Sequence, residues 1–576
     1  MGMIKDFRRL FGLFSKREKR NSAIMLGLIG IGGVLAIMGI GAILPFTMIL
    51  LDQEAVYRYP ILQTITEVPW IGGHRRFVVL MSIAFVLVFL IKSLYMFFLI
   101  YIQNRFARNM QVGMSKKLYQ CYIYKPYEFF FQKSTVELSR NIGLVTSVIQ
   151  GMLMTGITFL NELITIAFIV ALLFIVDPIT SISIVVVLGG VVIAAYALLK
   201  SKLEETTKKQ NELAIVKGRL IREGLAGIKA IKMIGSERSF VIRYHLVSMT
   251  TAKLAAFYNL ASQAPRLLIE MIAMSGIVII VLVNALRTPD MTEILPMLAL
   301  FGFAAMRVMP SMARITSHLT TIRVNTVHFN QIYEDLRAAV DLQESELIKI
   351  EKINFDANIE VRNLSYTYPG TDKVILENIN LTIPKGQSVG VKGVSGGGKT
   401  TLIDILLGLL EPKKGEVLVD GVDISENLPG WRKNIGYVPQ SIFIIDDSVA
   451  ANVALGIPKE EIDMQRVWEA LEIANLKEVV EALPEKLNSG IGEGGMKISG
   501  GQRQRLGIAR ALYYNPEVLI FDEATSSLDN ESEKVITEAI TKLGHTKTMI
   551  IIAHRLNTLE KCDAIYEVKD KSIYKE

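Results

Sequence analysis

Charged residues and cysteines are scarce in this sequence of 576 residues. Only 21% of the residues are charged and 51% are hydrophobic, which argues against an ordinary soluble protein and predicts that part of the chain lies in lipid. The two cysteines, Cys121 and Cys562, lie far apart and outside any C-x-x-C spacing. Neither a disulfide framework nor a zinc site is therefore indicated, and both are predicted to be free thiols.

Long apolar runs fill the first half of the chain. A bilayer core needs about 20 apolar residues per helix, and six runs predict membrane spans, at roughly 23–51, 77–103, 152–176, 178–200, 264–286 and 292–313. The connections at about 104–150 and 201–263 are basic, which predicts that they and both termini lie in the cytoplasm. This topology accounts for the net charge of +7 without nucleic acid as a partner.

The remaining segments complete a prediction of four parts. Residues 1–22 are basic and lack a cleavable signal pattern, which predicts an amphipathic elbow helix on the cytoplasmic membrane surface. A six-helix membrane domain is predicted for 23–341, a charged linker for 342–357, and an α/β domain of alternating strands and helices for 358–576. The tips of the two basic connections, 134–143 and 224–237, are candidate coupling elements, with solvated helical hairpins as the alternative.

A glycine-rich loop is the first functional motif in the second half of the chain. The stretch GVSGGGKTT follows a predicted strand, precedes a predicted helix, and fits the phosphate-binding pattern G-x-x-x-x-G-K-[ST]. Backbone N–H groups of such a loop cradle phosphate oxygens, the lysine reaches the β- and γ-phosphates, and the last hydroxyl of the pattern can bind Mg²⁺. The predicted phosphate contacts are Gly393, Ser395, Gly396, Gly397, Gly398, Lys399, Thr400 and Thr401.

An acidic pair supports a nucleotide triphosphatase. In EVLIFDEATSSLD, Asp522 and Glu523 stand at the end of an apolar strand. An acidic pair next to a fully apolar strand is hard to explain as a solvated surface patch. Asp522 is predicted to hold the Mg²⁺ shell, and Glu523 to orient or deprotonate the attacking water. His554 follows the next apolar strand and can contact the γ-phosphate, although a lone histidine there is more often structural.

With the stretch ISGGQRQR at 498–505, these motifs in this order resemble the nucleotide-binding domain of ABC transporters. Six spans fused before one such domain resemble the homodimeric half-transporters among ABC exporters. The expected fold is a membrane α-helical domain plus an α/β P-loop ATPase domain, and the expected activity is ATP-driven transport. The resemblance implies a bacterial inner-membrane protein that works as a homodimer with ATP and Mg²⁺.

The resemblance also assigns roles to particular residues. Tyr368 in YTYPG would stack on adenine, and Gln440 in YVPQ would join Mg²⁺ to the membrane domain. The metal ligands implied are Thr400, Gln440 and Asp522. The contacts to a γ-phosphate across a dimer would come from Ser499, Gly500 and Gly501, and Gln502 is a further residue implied to bind the nucleotide. Two departures from the family pattern are Ile498, where leucine is usual, and Val136, where exporters often have glycine.

Basic residues at or near the spans are the one indication of cargo. They are Lys92, Arg266, Arg307 and Arg314. Charge at the centre of a membrane helix costs roughly 2.5 to 3.5 kcal/mol on insertion scales and usually faces a cavity. Arg307 and Arg314 are seven residues apart, which predicts a basic stripe for an anionic headgroup. The alternative is structural, with Arg266 paired to Glu270 and Arg314 snorkelling to the interface.

Within the exporters, segments such as AMRVMPSMARI and QAPRLLIE most resemble bacterial flippases of lipid-linked oligosaccharides. The resemblance implies a membrane lipid or lipid-linked substrate, a polyprenyl-pyrophosphate oligosaccharide, and a segment after the first span that engages its tail. The alternatives are a lipid A-like or multidrug exporter and, in another class, a non-transporting membrane ATPase that senses or regulates a partner.

Overall fold

A computed structural model describes residues 2–41, 74–176, 178–287, 294–341, 351–523, 546–553 and 559–576. These residues divide into two compact units. The membrane unit contains the residues up to Lys125 and those from Lys133 through the helix that ends at Asp341, and it is helical. The ATPase unit contains Pro126–Gln132 and the residues from 351 onward, and it is α/β. The predicted segment after the first span and His554 lie outside the described residues.

Long helices build the membrane unit. Their bounds, with the short helices between them, are α1 Gly2–Gly12, α2 Lys16–Gly41, α3 His74–Ile123, α5 Thr135–Val148, α6 Thr155–Val176, α7 Pro178–Ala226, α8 Ile228–Ile234, α9 Glu237–Arg287 and α10 Ile294–Asp341. The short helix α4, Phe129–Gln132, belongs to the ATPase unit. Each predicted span overlaps one of the helices of the membrane unit.

Four of these helices are much longer than a bilayer is thick. Helices α3, α7, α9 and α10 contain 50, 49, 51 and 48 residues. At about 1.5 Å per residue each reaches about 75 Å, against a hydrocarbon core of about 30 Å. Within the described residues, Val78–Ile123 and Thr135–Ala171 are long and apolar enough to cross a membrane. The count of six spans remains a prediction.

Helices α5 and α6 are joined by a π-helical segment, Ile149–Met154, instead of a loop. Gly151 in this segment is buried. The side chain of Asn325 on α10 occupies the space into which a Cβ at Gly151 would project. Asn325 is held by a 2.8 Å hydrogen bond from Nδ2 to the Thr321 carbonyl. The absence of a side chain at Gly151 therefore lets α10 approach the π segment closely.

The ATPase unit is built on two sheets. One is antiparallel in the order β2-β1-β4-β5, and the other has the order β10-β9-β3-β8-β7-β6, in which β9, β3, β8, β7 and β6 run parallel. The bounds of the strands are β1 Asn358–Thr367, β2 Val374–Pro384, β3 Ser388–Gly393, β4 Lys414–Val419, β5 Val422–Asp423, β6 Ile435–Val438, β7 Val518–Asp522, β8 Thr548–Ile552, β9 Ala564–Lys569 and β10 Ser572–Lys575.

Helices cover the parallel sheet on both of its faces. They are α11 Lys399–Leu406, α12 Leu428–Arg432, α13 Val449–Val453, α14 Met464–Ile473, α15 Lys477–Glu481 and α16 Gly500–Tyr513. Strands β7 and β8 are buried at every residue, as the continuous apolar runs in the sequence predict. Their side chains divide between two cores: Leu519 and Ile551 pack with α14 and α16, and Ile520 and Ile550 pack with α11.

The coupling role of the first candidate element, 134–143, stays a prediction. Most of the segment 134–143 falls in α5, within the membrane unit. The residues of this connection that pack with the ATPase unit are instead Pro126–Gln132. The second candidate, 224–237, contains α8, where Met233 and Ile234 are 81% and 77% exposed. Its coupling role stays a prediction.

The π segment gives a test of packing in the membrane unit. We expect Gly151→Ala to lower thermal stability, because a methyl group must displace the held Asn325 side chain and overpacking costs about 1 to 3 kcal/mol. Gly143 is the matched control, since it is an exposed helical glycine with open space around its Cβ position. Gly143→Ala should be neutral or stabilising. Thermal unfolding in detergent measures both variants, and equal midpoints would contradict the packing role.

Candidate functional site

The phosphate loop connects β3 to α11 in the form that the sequence predicts. Gly393 and Gly398 have φ angles of 152° and 102°. A Cβ at Gly393 would lie 2.4 Å from the Val568 carbonyl oxygen, and one at Gly398 would lie 2.8 Å from the Leu376 side chain. Only glycine fits both positions, because each combines an unusual backbone conformation with a close neighbour. Ser395, Gly396 and Thr400 are exposed on the loop, and Gly397 is half-buried.

Lys399 lies inside the loop that it ends. Its Nζ donates hydrogen bonds to the carbonyl oxygens of Gly393, at 2.8 Å, and Val394, at 3.1 Å. Burial lowers the pKa of Lys399, although the nearby carboxylates of Glu523 and Asp522 oppose that shift. The ammonium group therefore fixes the loop and stands close to both acidic residues.

Asp522 ends β7 in a crowded anionic environment. It is 6% exposed, and burial together with the adjacent Glu523 raises the pKa of its carboxyl group. Tyr437 on β6 donates a 3.4 Å hydrogen bond to its Oδ2 atom. Asp404 on α11 is a further acidic group close to Asp522, and burial together with the field of Asp522 raises the pKa of Asp404 to about 6. This concentration of acidic groups favours the binding of a cation.

Glu523 has a fixed backbone and a partnered side chain. Its φ angle of 48° is in the left-handed region, and its N–H donates to the Ile552 carbonyl at 3.0 Å. Gln440, which follows β6, donates from Nε2 to the Glu523 carboxylate at 2.7 Å. The structure thus brings together two residues that are 83 positions apart in sequence. A carboxylate held in this way can orient or deprotonate a water molecule beside the phosphates.

The aromatic residue predicted to contact adenine lies against the phosphate-loop helix. The Tyr368 hydroxyl and the Thr401 Oγ1 atom are 3.0 Å apart and hydrogen-bonded. The Phe131 ring meets the Tyr368 ring edge-on at 5.6 Å, and the Tyr366 hydroxyl donates to Glu128 at 2.9 Å. Residues Pro126–Gln132 therefore pack around the aromatic group that is predicted to stack on the base.

The signature residues lie at the start of α16. Ser499 caps the helix and forms a capping box with Gln502, in which each side chain accepts a hydrogen bond from the other residue's backbone. Ser499 and Gly500 are exposed, and Gly501 and Gln502 are half-buried. The exposed N-terminus of this helix offers N–H donors and a favourable dipole to a phosphate brought from outside the chain.

The residues around Asp522 fit a magnesium ion that is shared with phosphates. The donors available are the Asp522 carboxylate, the Thr400 hydroxyl and the Gln440 side-chain carbonyl, and all three are oxygen atoms, which Mg²⁺ prefers. In the described part of the chain no group of three or more histidine, cysteine or acidic side chains forms a self-sufficient metal site. This agrees with a metal that uses phosphate oxygens and water for the rest of its shell.

Three features of the site were not predicted from the sequence. Tyr437 was not singled out, although it stands in the YVPQ stretch that marks Gln440. Asp404 and the aromatic segment Pro126–Gln132 were also missed. Asp404 follows the phosphate loop in a helix whose other residues are mostly buried, and that pattern was the available signal. For Pro126–Gln132 the signal was a run of aromatic residues inside an otherwise basic connection.

The basic residues of the membrane unit have different surroundings. Arg266 and Arg314 both line a cavity of about 610 Å³ between α9 and α10, together with Gln263, Glu270, Met274, Met309, Pro310, Ala313 and Ser317. Lys92 does not line it, and its Nζ atom lies 5.2 Å from the centroid of the Phe89 ring. Arg307 lies on α10, but its side chain is outside the described part of the structure.

Arg314 is fixed by a partner that the sequence analysis did not identify. Glu162 on α6 accepts two hydrogen bonds from its guanidinium group, at 2.7 Å from Nε and 3.1 Å from Nη2, and Ser311 accepts a third at 3.1 Å. The Glu162 side chain is only 11% exposed. The structural alternative for Arg266 was an ion pair with Glu270. Among the described residues Arg266 forms no ion pair with Glu270, although both line the cavity.

Two family descriptions match the chain. The description "ABC transporter transmembrane region" matches residues 20–315, and "ABC transporter" matches residues 376–526. The solved "Structure of a bacterial Atm1-family ABC exporter with ATP bound" has a TM-score of 0.75 and 19% identity, covering 97% of this chain and 94% of that one. This likeness shows the fold and confirms the predicted fold class.

Curated relatives match over most of the chain or over a smaller part of it. An "ATP-dependent lipid A-core flippase" of Bordetella avium is 29% identical over 86% of this chain and 83% of its own length. The mouse "ATP-binding cassette sub-family B member 5" is 41% identical over 38% of this chain and 18% of its own length. The chain therefore belongs to the ABC transporter family, as an ATP-hydrolysing exporter half-transporter with one transmembrane and one ATPase domain.

Proposed function

We propose that this exporter flips a lipid-linked substrate with a phosphorylated sugar headgroup, a polyprenyl-pyrophosphate oligosaccharide, across a bacterial inner membrane. The observation that carries the proposal is the cavity of about 610 Å³ lined by Arg266 and Arg314. Both residues stand at the cytoplasmic ends of predicted spans, at the depth where the headgroup of an inner-leaflet lipid lies. The two guanidinium groups carry N–H donors of the kind that phosphate oxygens accept.

The two arginines have different tasks in this proposal. Arg314 is clamped by Glu162 and Ser311, so most of its charge is matched and its orientation is fixed. Arg266 is exposed on α9 and supplies the adaptable donor, and Glu270 one turn away offers an acceptor for sugar hydroxyl groups. A phosphorylated sugar needs both kinds of partner. The lipid tail stays in the bilayer, where the outer surfaces of the helices are apolar.

A second candidate is a lipid A-like substrate. The curated relative from Bordetella avium, which matches most of the chain, is named as a flippase of lipid A-core. Lipid A also joins phosphate groups to sugars, so the same cavity suits its headgroup. The two substrates differ in their tails and in the position of the phosphates, and transport of one in preference to the other distinguishes them.

The ATPase residues have these roles in the proposed cycle. Backbone N–H groups of Gly393–Thr401 and the Lys399 ammonium hold the β- and γ-phosphates. Thr400, Asp522 and Gln440 would hold Mg²⁺, which when bound would offset the negative charge of the phosphates. Glu523 activates water, and Gln440 keeps its carboxylate in position at 2.7 Å. His554 keeps its predicted contact with the γ-phosphate.

The working unit is proposed to be a homodimer with its ATPase domains in the cytoplasm. Ser499, Gly500, Gly501 and Gln502 present the start of α16 outward, and the Ser499 and Gln502 side chains bond each other's backbone. This leaves the helix terminus available to a phosphate bound by a second copy. Binding of ATP would then close the two domains and hydrolysis would release them, which alternates the access of the membrane helices.

Glu523 is tested by Glu523→Gln, which keeps the size of the side chain and removes the base. We expect ATP to bind, and its hydrolysis to fall by at least about a hundredfold, the range for loss of a general base. The matched control is Glu517→Gln, at the other end of β7, where the carboxylate pairs with Lys385. Steady-state phosphate release and trapped nucleotide measure the two variants. Undiminished turnover in Glu523→Gln would reject its assignment.

The cavity is tested by Arg266→Gln in proteoliposomes that contain the polyprenyl-pyrophosphate oligosaccharide. Loss of a charge-assisted hydrogen bond, worth about 1.5 to 3 kcal/mol, should raise the apparent KM for headgroup translocation at least tenfold. Lys253→Gln on the same helix is the control, because Lys253 is exposed and lies outside the cavity. An unchanged KM in Arg266→Gln would reject this headgroup site.

The same vesicles separate the classes of function. Headgroup accessibility that changes only with ATP and intact Glu523 supports a flippase. Preferential translocation of a lipid A-core substrate under identical conditions favours the second candidate. Stimulation of ATP hydrolysis by lipid without translocation would instead indicate a membrane ATPase that senses or regulates a partner.

A further inference from the structure

Helix α1, Gly2–Gly12, presents two chemically different faces. Ile4, Lys5, Arg8 and Gly12 are exposed, and at about 100° per residue they lie within one arc of the helix. Leu10, on the opposite face, is 0% exposed. An amphipathic surface helix normally inserts its apolar face into the headgroup region. Here that face is directed toward the protein instead.

Contacts with two long helices occupy the inner face of α1. The Phe7 ring fills the space beside Gly156 at the start of α6, where a Cβ would come within 2.7 Å of it. Arg9 stands 5.2 Å from the centroid of the Tyr333 ring on α10. Leu13 and Phe14, just after the helix, are 5% and 4% exposed. The apolar surface of the elbow is thereby used in packing and is unavailable for insertion into lipid.

The outward surface of residues 4–20 is almost entirely basic. We define the elbow patch as the exposed residues Lys5, Arg8, Lys16, Arg17, Lys19 and Arg20. The two acidic residues of this segment offset only part of this charge, because the six basic residues outnumber them. Asp6 is 8% exposed on the inner side, and the Glu18 carboxylate accepts a 2.6 Å hydrogen bond from the Ser15 N–H. In the part of the chain that the structure describes, none of the six forms an ion pair with a carboxylate.

We propose that the elbow patch binds the anionic phospholipid headgroups of the cytoplasmic leaflet, and that this contact regulates the exporter. The patch directly precedes the first predicted span, which puts it at headgroup depth. Clusters of four to eight basic residues at this position attract anionic lipid. The exposed Ile4 adds a small apolar contact beside Arg8. Because the apolar face is already packed, attraction to the membrane depends mainly on charge.

The inner face connects the patch to two long helices of the membrane unit. Asp6 of α1 lies in the field of Arg323 on α10, and Arg323 forms an ion pair with Glu204 on α7. These three residues line a cavity of about 630 Å³ that also contains Lys208 and Glu212. A displacement of α1 toward or away from the bilayer therefore alters a charge network that joins α1, α7 and α10. A contact that alters this network can regulate the exporter, whereas a passive anchor would only hold the helix at the membrane.

The test measures ATP hydrolysis in nanodiscs, which leave both faces of the bilayer accessible. Discs of phosphatidylcholine alone are compared with discs in which about one quarter of the lipid is phosphatidylglycerol. We expect phosphatidylglycerol to change the ATPase rate of the unmodified protein several-fold. The variant Lys16→Gln/Arg17→Gln/Lys19→Gln/Arg20→Gln should reduce this response at least about threefold. Raising the salt to about 0.5 M should reduce the response of the unmodified protein in the same way.

A matched control keeps the change in net charge and moves it away from the membrane. Lys373, Lys413, Lys414 and Lys571 are exposed on the ATPase unit, and changing all four to glutamine should leave the phosphatidylglycerol response intact. Equal loss in this control would overturn the assignment to the elbow patch. A full response in the elbow variant would overturn it as well.

Two further measurements distinguish a membrane surface from a soluble phosphate and detect binding without ATP turnover. Added glycerol phosphate should not reproduce the response in phosphatidylcholine discs, and if it does, the ligand is a soluble phosphate and not a membrane surface. Thermal unfolding in detergent, with and without phosphatidylglycerol, reports binding without ATP turnover, because a ligand of the native state raises the unfolding midpoint. The elbow variant should lose most of that increase, and an undiminished increase would contradict binding at the patch.

Discussion

The chemistry of the ATPase unit depends on the parallel alignment of β3, β8, β7 and β6. Parallel strands place their carboxyl ends at one edge of a sheet, and the residues that follow them converge there. Gly393 ends β3, Asp522 ends β7, and Gln440 comes two residues after β6. Residues that are far apart in sequence thus reach hydrogen-bonding distance, as Gln440 and Glu523 do. The same alignment concentrates negative charge at this edge, balanced within the chain by Lys399, and so prepares it for a metal and phosphates.

A similar constraint operates in the membrane unit, where polar groups within an apolar helical environment need partners inside the protein. Glu162 and Arg314 satisfy each other in a bidentate pair, and Ser311 takes a further hydrogen bond. The Glu162 side chain is 11% exposed and that of Arg314 is 43% exposed, so solvent screens part of the attraction, but the hydrogen bonds still join the two helices. The pair therefore stabilises the contact of α6 with α10 and also sets the wall of the neighbouring cavity.

The fold class was predictable from the sequence, because continuous apolar runs of bilayer length and the strand, glycine loop and helix pattern are local signals. The phosphate loop was predictable for the same reason, since its conformation requires glycine at Gly393 and Gly398. Pairings between distant residues were not predictable. The partner of Arg314 is 152 positions away, and the partner of Tyr366 is 238 positions away. The inward direction of the apolar face of α1 was also hidden, because periodicity shows that a helix has an apolar face but not what covers it.

The π-helical segment Ile149–Met154 also determines which way the third predicted span faces. A π segment holds one residue more than the α-helix around it, and one residue corresponds to about 100° of rotation about the helix axis. The residues before the segment and the residues after it therefore face different directions around the axis of one continuous helix. Glu162 points at Arg314 in the register that follows the segment, while Asn141 and Val145 are buried in the register that precedes it. A helix with such an offset can match two differently oriented surroundings, one in lipid and one in water, without a break in the chain.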